Sequence, residues 1–202
     1  MLFRSEYWLG DDDKAAGLDK VFQSLTKLSE AGVGVFFMAG NRDFLVGNEL
    51  AEKCGFKIIE EPFIENINGS NALLMHGDTL CTDDVEYQKF RAMVRNKAWQ
   101  QGVLAKSLEE REQLARSLRQ QSEQANAEKN IEIMDVNQDA VIETMQQHSV
   151  NLLIHGHTHR PAIHEFELNG QAARRIVLSD WHDKGSYLRI TENTEPELIE
   201  FS

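Results

Sequence analysis

In Val150-Asn151-Leu152-Leu153-Ile154-His155-Gly156-His157-Thr158-His159-Arg160-Pro161, an apolar run of strand length empties into a loop that holds three of the chain's seven histidines. A buried strand opening into a loop is where open α/β sheets place their chemistry. Neutral imidazole is the commonest transition-metal ligand. His157 and His159, one residue apart on a turning backbone, can face one cavity and reach two ions. Histidines that merely cap a strand end are the competing structural reading, and spacing alone leaves both open.

Two further stretches repeat the pattern. Val35-Phe36-Phe37-Met38 ends in Ala39-Gly40-Asn41-Arg42-Asp43, and Ala72-Leu73-Leu74-Met75 ends in His76-Gly77-Asp78. Each apolar run carries a ligand-type side chain at its carboxyl end, beside a glycine that permits a tight turn. Three separate strand ends therefore point to one site.

Together these blocks resemble the calcineurin-like metallophosphoesterases, whose motif runs Asp-x-His, Gly-Asp, Gly-Asn-[His/Arg]-[Glu/Asp], His, Gly-His-x-His. The last three blocks stand at residues 40–43, at His76 and at residues 156–159. More narrowly, residues 40–44, 75–84 (MHGDTLCTDD), 133–137 (IMDVN) and 154–161 (IHGHTHRP) are similar to the bacterial UDP-2,3-diacylglucosamine diphosphatases of lipid A synthesis. The resemblance runs from about Glu6 onward. It implies an α/β fold, a two-sheet sandwich flanked by helices, forming a single domain over residues 1–202. A helical cap at about residues 84–134 would be inserted and the first strands would be missing. It also implies that Asn41, His76 and His157 ligate one Mn²⁺ and that His159 belongs to a second. Substrate contacts would come from Asn41, Arg42, Asp84, Ser122, Asn126, Lys129 and His157, with no catalytic side chain beyond the metal site. The implied reaction converts UDP-2,3-diacylglucosamine to UMP and 2,3-diacylglucosamine 1-phosphate at the cytoplasmic face of the inner membrane, where such an enzyme is peripheral.

The family's Asp-x-His block is missing before Asn41, and no Gly-Asp block precedes Glu6-Tyr7-Trp8-Leu9-Gly10-Asp11. The chain is accordingly expected to begin late, with residues 1–5 not native. The remaining ligands would be three imidazoles and an amide, all uncharged, whereas such cation sites draw much of their affinity from anionic oxygens. Weak metal binding and little turnover are expected of residues 1–202. Two other readings are a metallophosphoesterase for another nucleotide or phosphodiester, and a non-catalytic remnant of the fold.

Composition narrows the field further. A chain of 202 residues can bury one sizeable core. A formal charge of -12 argues against a nucleic-acid surface. No apolar run is long enough to span a bilayer, and Cys54 and Cys81 show no metal or redox spacing. Against the acidic background, residues 87–108 carry five basic residues and no acid, interleaved with Phe90, Trp99 and aliphatic residues. Such a helix could lie on an anionic lipid surface or simply cover core.

Taken along the chain, residues 14–30 predict an amphipathic helix followed by a strand at 35–38. This is half of a βαβ unit whose other strand is absent. A short helix at 48–53, strands at 56–59 and 63–67, and an Asn68-Gly69 hairpin into 72–75 follow. Residues 109–129 predict an exposed helix and 136–145 a helix beside strand 150–154. A hairpin over 163–178, turning at Asn169-Gly170, and strands at 187–191 and 198–201 predict a second, antiparallel sheet. His164 and His182 are read as structural.

Overall fold

The computed structural model describes residues 7–13, 17–127, 133–181, 184–192 and 194–202. Residues 1–5, expected to be non-native, lie outside the described residues. The chain is mixed α/β and divides into two compact units, Met1–Glu60 with Glu86–Lys129, and Glu61–Val85 with Asn130–Ser202.

In the first unit, α1 (Asp19–Glu30) leads to β1 (Phe36–Met38), then α2 (Asn48–Cys54) and β2 (Lys57–Ile59). β1 and β2 pair in parallel, Phe36 beside Lys57 and Met38 beside Ile59. α1 and β1 form the expected half-unit, and β1, α2 and β2 add a parallel crossover after it. The Asp11 carboxylate holds the start of α2, accepting from the amides of Gly47 at 2.9 Å and Leu50 at 3.0 Å. Phe22 and Leu25 of α1 pack with Phe37, Leu50, Ala51, Cys54 and Phe56, which joins helix, strand and crossover in one apolar cluster.

The same unit contains α3 (Val85–Val94), α4 (Lys97–Leu104) and α5 (Leu108–Ala127). The basic helix expected over 87–108 is thus two helices. Asn96 separates them, its side chain accepting from the Trp99 amide as the N-cap of α4. Phe90, Val94, Trp99 and Val103 pack with Phe44, Leu45 and Leu114, so most of the apolar stripe is this unit's own core; Met93 and Leu104 stay exposed.

The second unit is built on a five-stranded sheet of β3 (Phe63–Ile67), β4 (Ser70–Met75), β5 (Leu152–His155), β6 (Ala162–Leu168) and β7 (Gln171–Val177). Its order is β3-β4-β5-β7-β6, with β4, β5 and β7 parallel and the two edge strands antiparallel. Both edges are hairpins turning at Asn-Gly, with positive φ at Asn68, Gly69, Asn169 and Gly170, the backbone that this dipeptide favours. The hairpin over 163–178 does not belong to the second sheet as expected. Ile176 and Val177 are fully buried, and burial on both faces suits an interior parallel strand beside β5.

One face of this sheet packs Leu73, Leu153 and Ala173 against Val141 and Met145 of α6 (Gln138–Gln147). The other packs Ala72, Ile154 and Ile176 with Leu188 and Leu198 of the small antiparallel sheet β8 (Gly185–Arg189) and β9 (Glu197–Phe201). Helix, sheet and sheet therefore form three layers. Cys54 and Cys81 are buried and unbridged, and no helix among the described residues is long and apolar enough to cross a membrane.

Candidate metal centre

β4 and β5 run parallel with Met75 beside His155, so the residues leaving both strands emerge side by side. The Gly156 amide donates to the His76 carbonyl at 3.0 Å. The chain then turns sharply. The Thr158 amide donates back to the Gly156 carbonyl at 2.8 Å, and His157 and His159 take φ values of 66° and 55°. Left-handed backbone at two non-glycine residues is uncommon and stores strain of the kind that concentrates at binding sites. The turn delivers the His157 ring edge-to-face onto His76, with ring centroids 5.0 Å apart.

His159 lies further out, its Nδ1 3.2 Å from Asp180 Oδ2. A carboxylate on one ring nitrogen orients the imidazole and leaves Nε2 to face a ligand. Arg160 Nη1 bonds Asp135 Oδ2 at 2.5 Å, and Asp135 also accepts from the Val136 amide. That pair ties the histidine loop to the 133–137 segment.

His155, the last residue of β5, is fully buried. Its Nδ1 lies 2.9 Å from the Gly156 carbonyl and its Nε2 3.2 Å from Arg175 Nη1. Burial, opposed by the bond to Gly156 and assisted by the Arg175 charge, pushes its pKa down to about 4.

The loop carrying Asn41 and Arg42 is in the first unit. Arg95 Nη2 donates to the carbonyls of Ala39 at 2.9 Å and Gly40 at 3.1 Å. The Gly40 amide donates to Asp43 Oδ1, and the Trp8 amide to the Arg42 carbonyl at 2.7 Å. Burial raises the Asp43 pKa despite the bond from Gly40. Asn41 is half-buried and Arg42 exposed on this braced loop.

Among the other expected substrate contacts, Asp84 is buried just before α3, Ser122 is exposed on α5, and Asn126 falls in the last turns of α5. Lys129 lies outside the described residues, as does His182. His164 is exposed on β6 opposite Arg175. The segments MHGDTLCTDD and IMDVN dock on one another. The Asn137 amide donates to the Leu80 carbonyl at 2.8 Å, its Nδ2 reaches both oxygens of Asp83, and its Oδ1 caps α6 by accepting from Asp139 and Ala140. Asn137→Ala should cost about 1 to 2 kcal/mol, measurable as a lower urea midpoint with an unchanged slope.

Among the described residues, no group of three or more His, Cys, Asp or Glu side chains is arranged to hold a metal. The His76 and His157 pair does suit a transition ion in kind, since both are imidazoles at neighbouring strand ends. Sequence reading missed Asp180, which the β6–β7 hairpin separates from His159. It also passed over Arg175, which the sequence shows only as the second of two adjacent arginines in the β7 strand.

No family model matches the chain. It is similar to the UDP-2,3-diacylglucosamine hydrolase of Chromohalobacter salexigens, 48% identical over 198 residues, covering 98% of this chain and 80% of that protein. With the enzyme of the same name from Marinobacter nauticus the identity is 44% over 188 residues, covering 93% and 77%. With that of Escherichia coli strain K12 it is 46% over 197 residues, covering 97% and 81%.

Proposed function

The chain belongs to the family of the UDP-2,3-diacylglucosamine hydrolases, and from that premise we propose that it hydrolyses the pyrophosphate bond of UDP-2,3-diacylglucosamine. The products are UMP and 2,3-diacylglucosamine 1-phosphate, a step of lipid A biosynthesis. The observation that carries this reading is the meeting of the His76 and His157 rings at adjacent parallel strand ends. In it, Asn41, His76 and His157 hold one Mn²⁺ and His159, oriented by Asp180, belongs to a second. Paired divalent ions, when bound, supply Lewis acidity to phosphoryl oxygens and an activated water near neutral pH.

The protein's own groups position the substrate. Arg42 offers a planar double donor to a phosphate. In this reading Asn41 and His157 also contact the substrate, as do Asp84, Ser122, Asn126 and Lys129. An amphiphilic substrate is compatible with the peripheral association with the cytoplasmic face of the inner membrane that the resemblance implies.

Because the named ligands are uncharged, metal affinity and turnover are expected to be low. The test is therefore a single-turnover assay with protein in excess over UDP-2,3-diacylglucosamine. Release of UMP should require Mn²⁺, stop with a chelator, and fall to background in His76→Ala and His157→Ala. Absence of Mn²⁺-dependent release, or release unaffected by either substitution, overturns the proposal. Cleavage of an aryl phosphodiester but not of the acylated sugar nucleotide would reassign the substrate.

A further inference from the structure

His155 touches both loops that carry the paired imidazoles. Its ring lies against Gly77, the residue after His76; a Cβ built on Gly77 would stand 2.7 Å from His155 Nδ1. Its Nδ1 meets the carbonyl of Gly156, the residue before His157. From behind, Arg175 on β7 approaches Nε2 at 3.2 Å, and Arg175 is itself only 7% exposed. The backbone on either side is clamped as well, with the Leu178 amide donating to the His155 carbonyl at 2.7 Å and the Gly156 amide to His76.

These contacts dictate one tautomer. A guanidinium has donors and no acceptor, so the ring nitrogen facing Arg175 must accept. The ring proton is then on Nδ1, where the Gly156 carbonyl receives it. That carbonyl also accepts from the Thr158 amide, the bond that closes the turn holding His157 at positive φ. A continuous chain of hydrogen bonds thus runs from Arg175 through His155 to the Gly156 oxygen and the His157 turn.

We propose that His155, locked in its Nδ1–H form by Arg175, is a positioning residue that sets the His157 turn against His76. It ligates nothing itself. Its effect is to hold the strained His157 turn and the Gly77 backbone after His76 so that the two imidazoles face each other without further rearrangement, the role that outer groups play around metal ligands. The inference rests on the reading of His76 and His157 as ligands.

The test has a metal-free arm and a metal arm. In the metal-free protein, long-range ¹H–¹⁵N spectra should show His155 as a single Nδ1–H tautomer, and Arg175→Met should turn it into a mixture and shift the His157 ring signals. In the metal arm, free Mn²⁺ is counted by electron paramagnetic resonance. His155→Leu should weaken binding by about 10- to 100-fold, whereas His155→Asn, whose amide can still donate to the Gly156 carbonyl, should recover most of it. A purely packing role would leave the Asn and Leu variants alike. An unchanged tautomer in Arg175→Met, or Mn²⁺ binding no better in His155→Asn than in His155→Leu, overturns the inference. If His155→Leu fails to fold, the tautomer arm still decides. Loss of UMP release with the tautomer intact would fault the functional reading and not this one.

Discussion

Gly77→Ala is expected to destabilise the protein by about 3 kcal/mol and to lower Mn²⁺-dependent UMP release with it. Gly77 has φ of 106°, outside the regions open to residues with a Cβ, which alone costs about 1 to 2 kcal/mol. The added methyl would also stand 2.7 Å from Nδ1 and 3.0 Å from Cβ of the fully buried His155, and overpacking of this kind costs about 1 to 3 kcal/mol. Gly69 supplies the control. Its φ is 83°, yet nothing lies within 4 Å of its built Cβ, so Gly69→Ala should show the backbone cost without the clash. Urea unfolding of the two variants separates the contributions. A Gly77→Ala protein no less stable than Gly69→Ala would show that the His155 ring yields freely and is not packed tightly against Gly77.

The second unit was the more legible of the two in the sequence, for a physical reason. Its central strands are buried on both faces of the sheet, so Ala72-Leu73-Leu74-Met75 and Leu152-Leu153-Ile154 read as continuous apolar runs, and Asn-Gly punctuates its hairpins. What the residues could not reveal was which strands pair. The hairpin of β6 and β7 alternates well enough to suit either sheet, and only the burial of Ile176 and Val177 commits it to lie beside β5. In the first unit, β1 and β2 are three residues each, too short for periodicity to disclose that they pair across α2. Residues 87–108 read as one helix because Asn96 is tolerated in a helix as well as at a cap. Within the site, His76 and His157 were visible as strand-end histidines. Arg175 and Asp180 were not, since their roles depend on a parallel register and on the path after a hairpin, neither of which leaves a local trace.

Acid should destabilise the metal-free protein through one buried group. His155 has an ordinary pKa near 6.5 when unfolded and about 4 when folded, so between those values the unfolded chain binds a proton that the folded chain refuses. Stability then rises with pH across that window and is lost as pH falls through it. The full contribution is present above about pH 6.5, and the loss levels off near pH 4. At about 1.36 kcal/mol per pH unit the loss amounts to about 3 kcal/mol. Asp43 acts in the opposite sense, because burial raises its folded pKa and acid relieves that cost. Subtracting the stability profile of His155→Asn, which keeps Asp43 and removes the imidazole, cancels this and other shared groups. Unfolding free energies from urea at pH 4 to 7 should therefore differ between the two proteins by an amount that grows steadily toward neutral pH. A difference that stays flat over that range would mean that the imidazole charges as readily inside the fold as outside it, and that neither its burial nor the Arg175 guanidinium keeps it neutral.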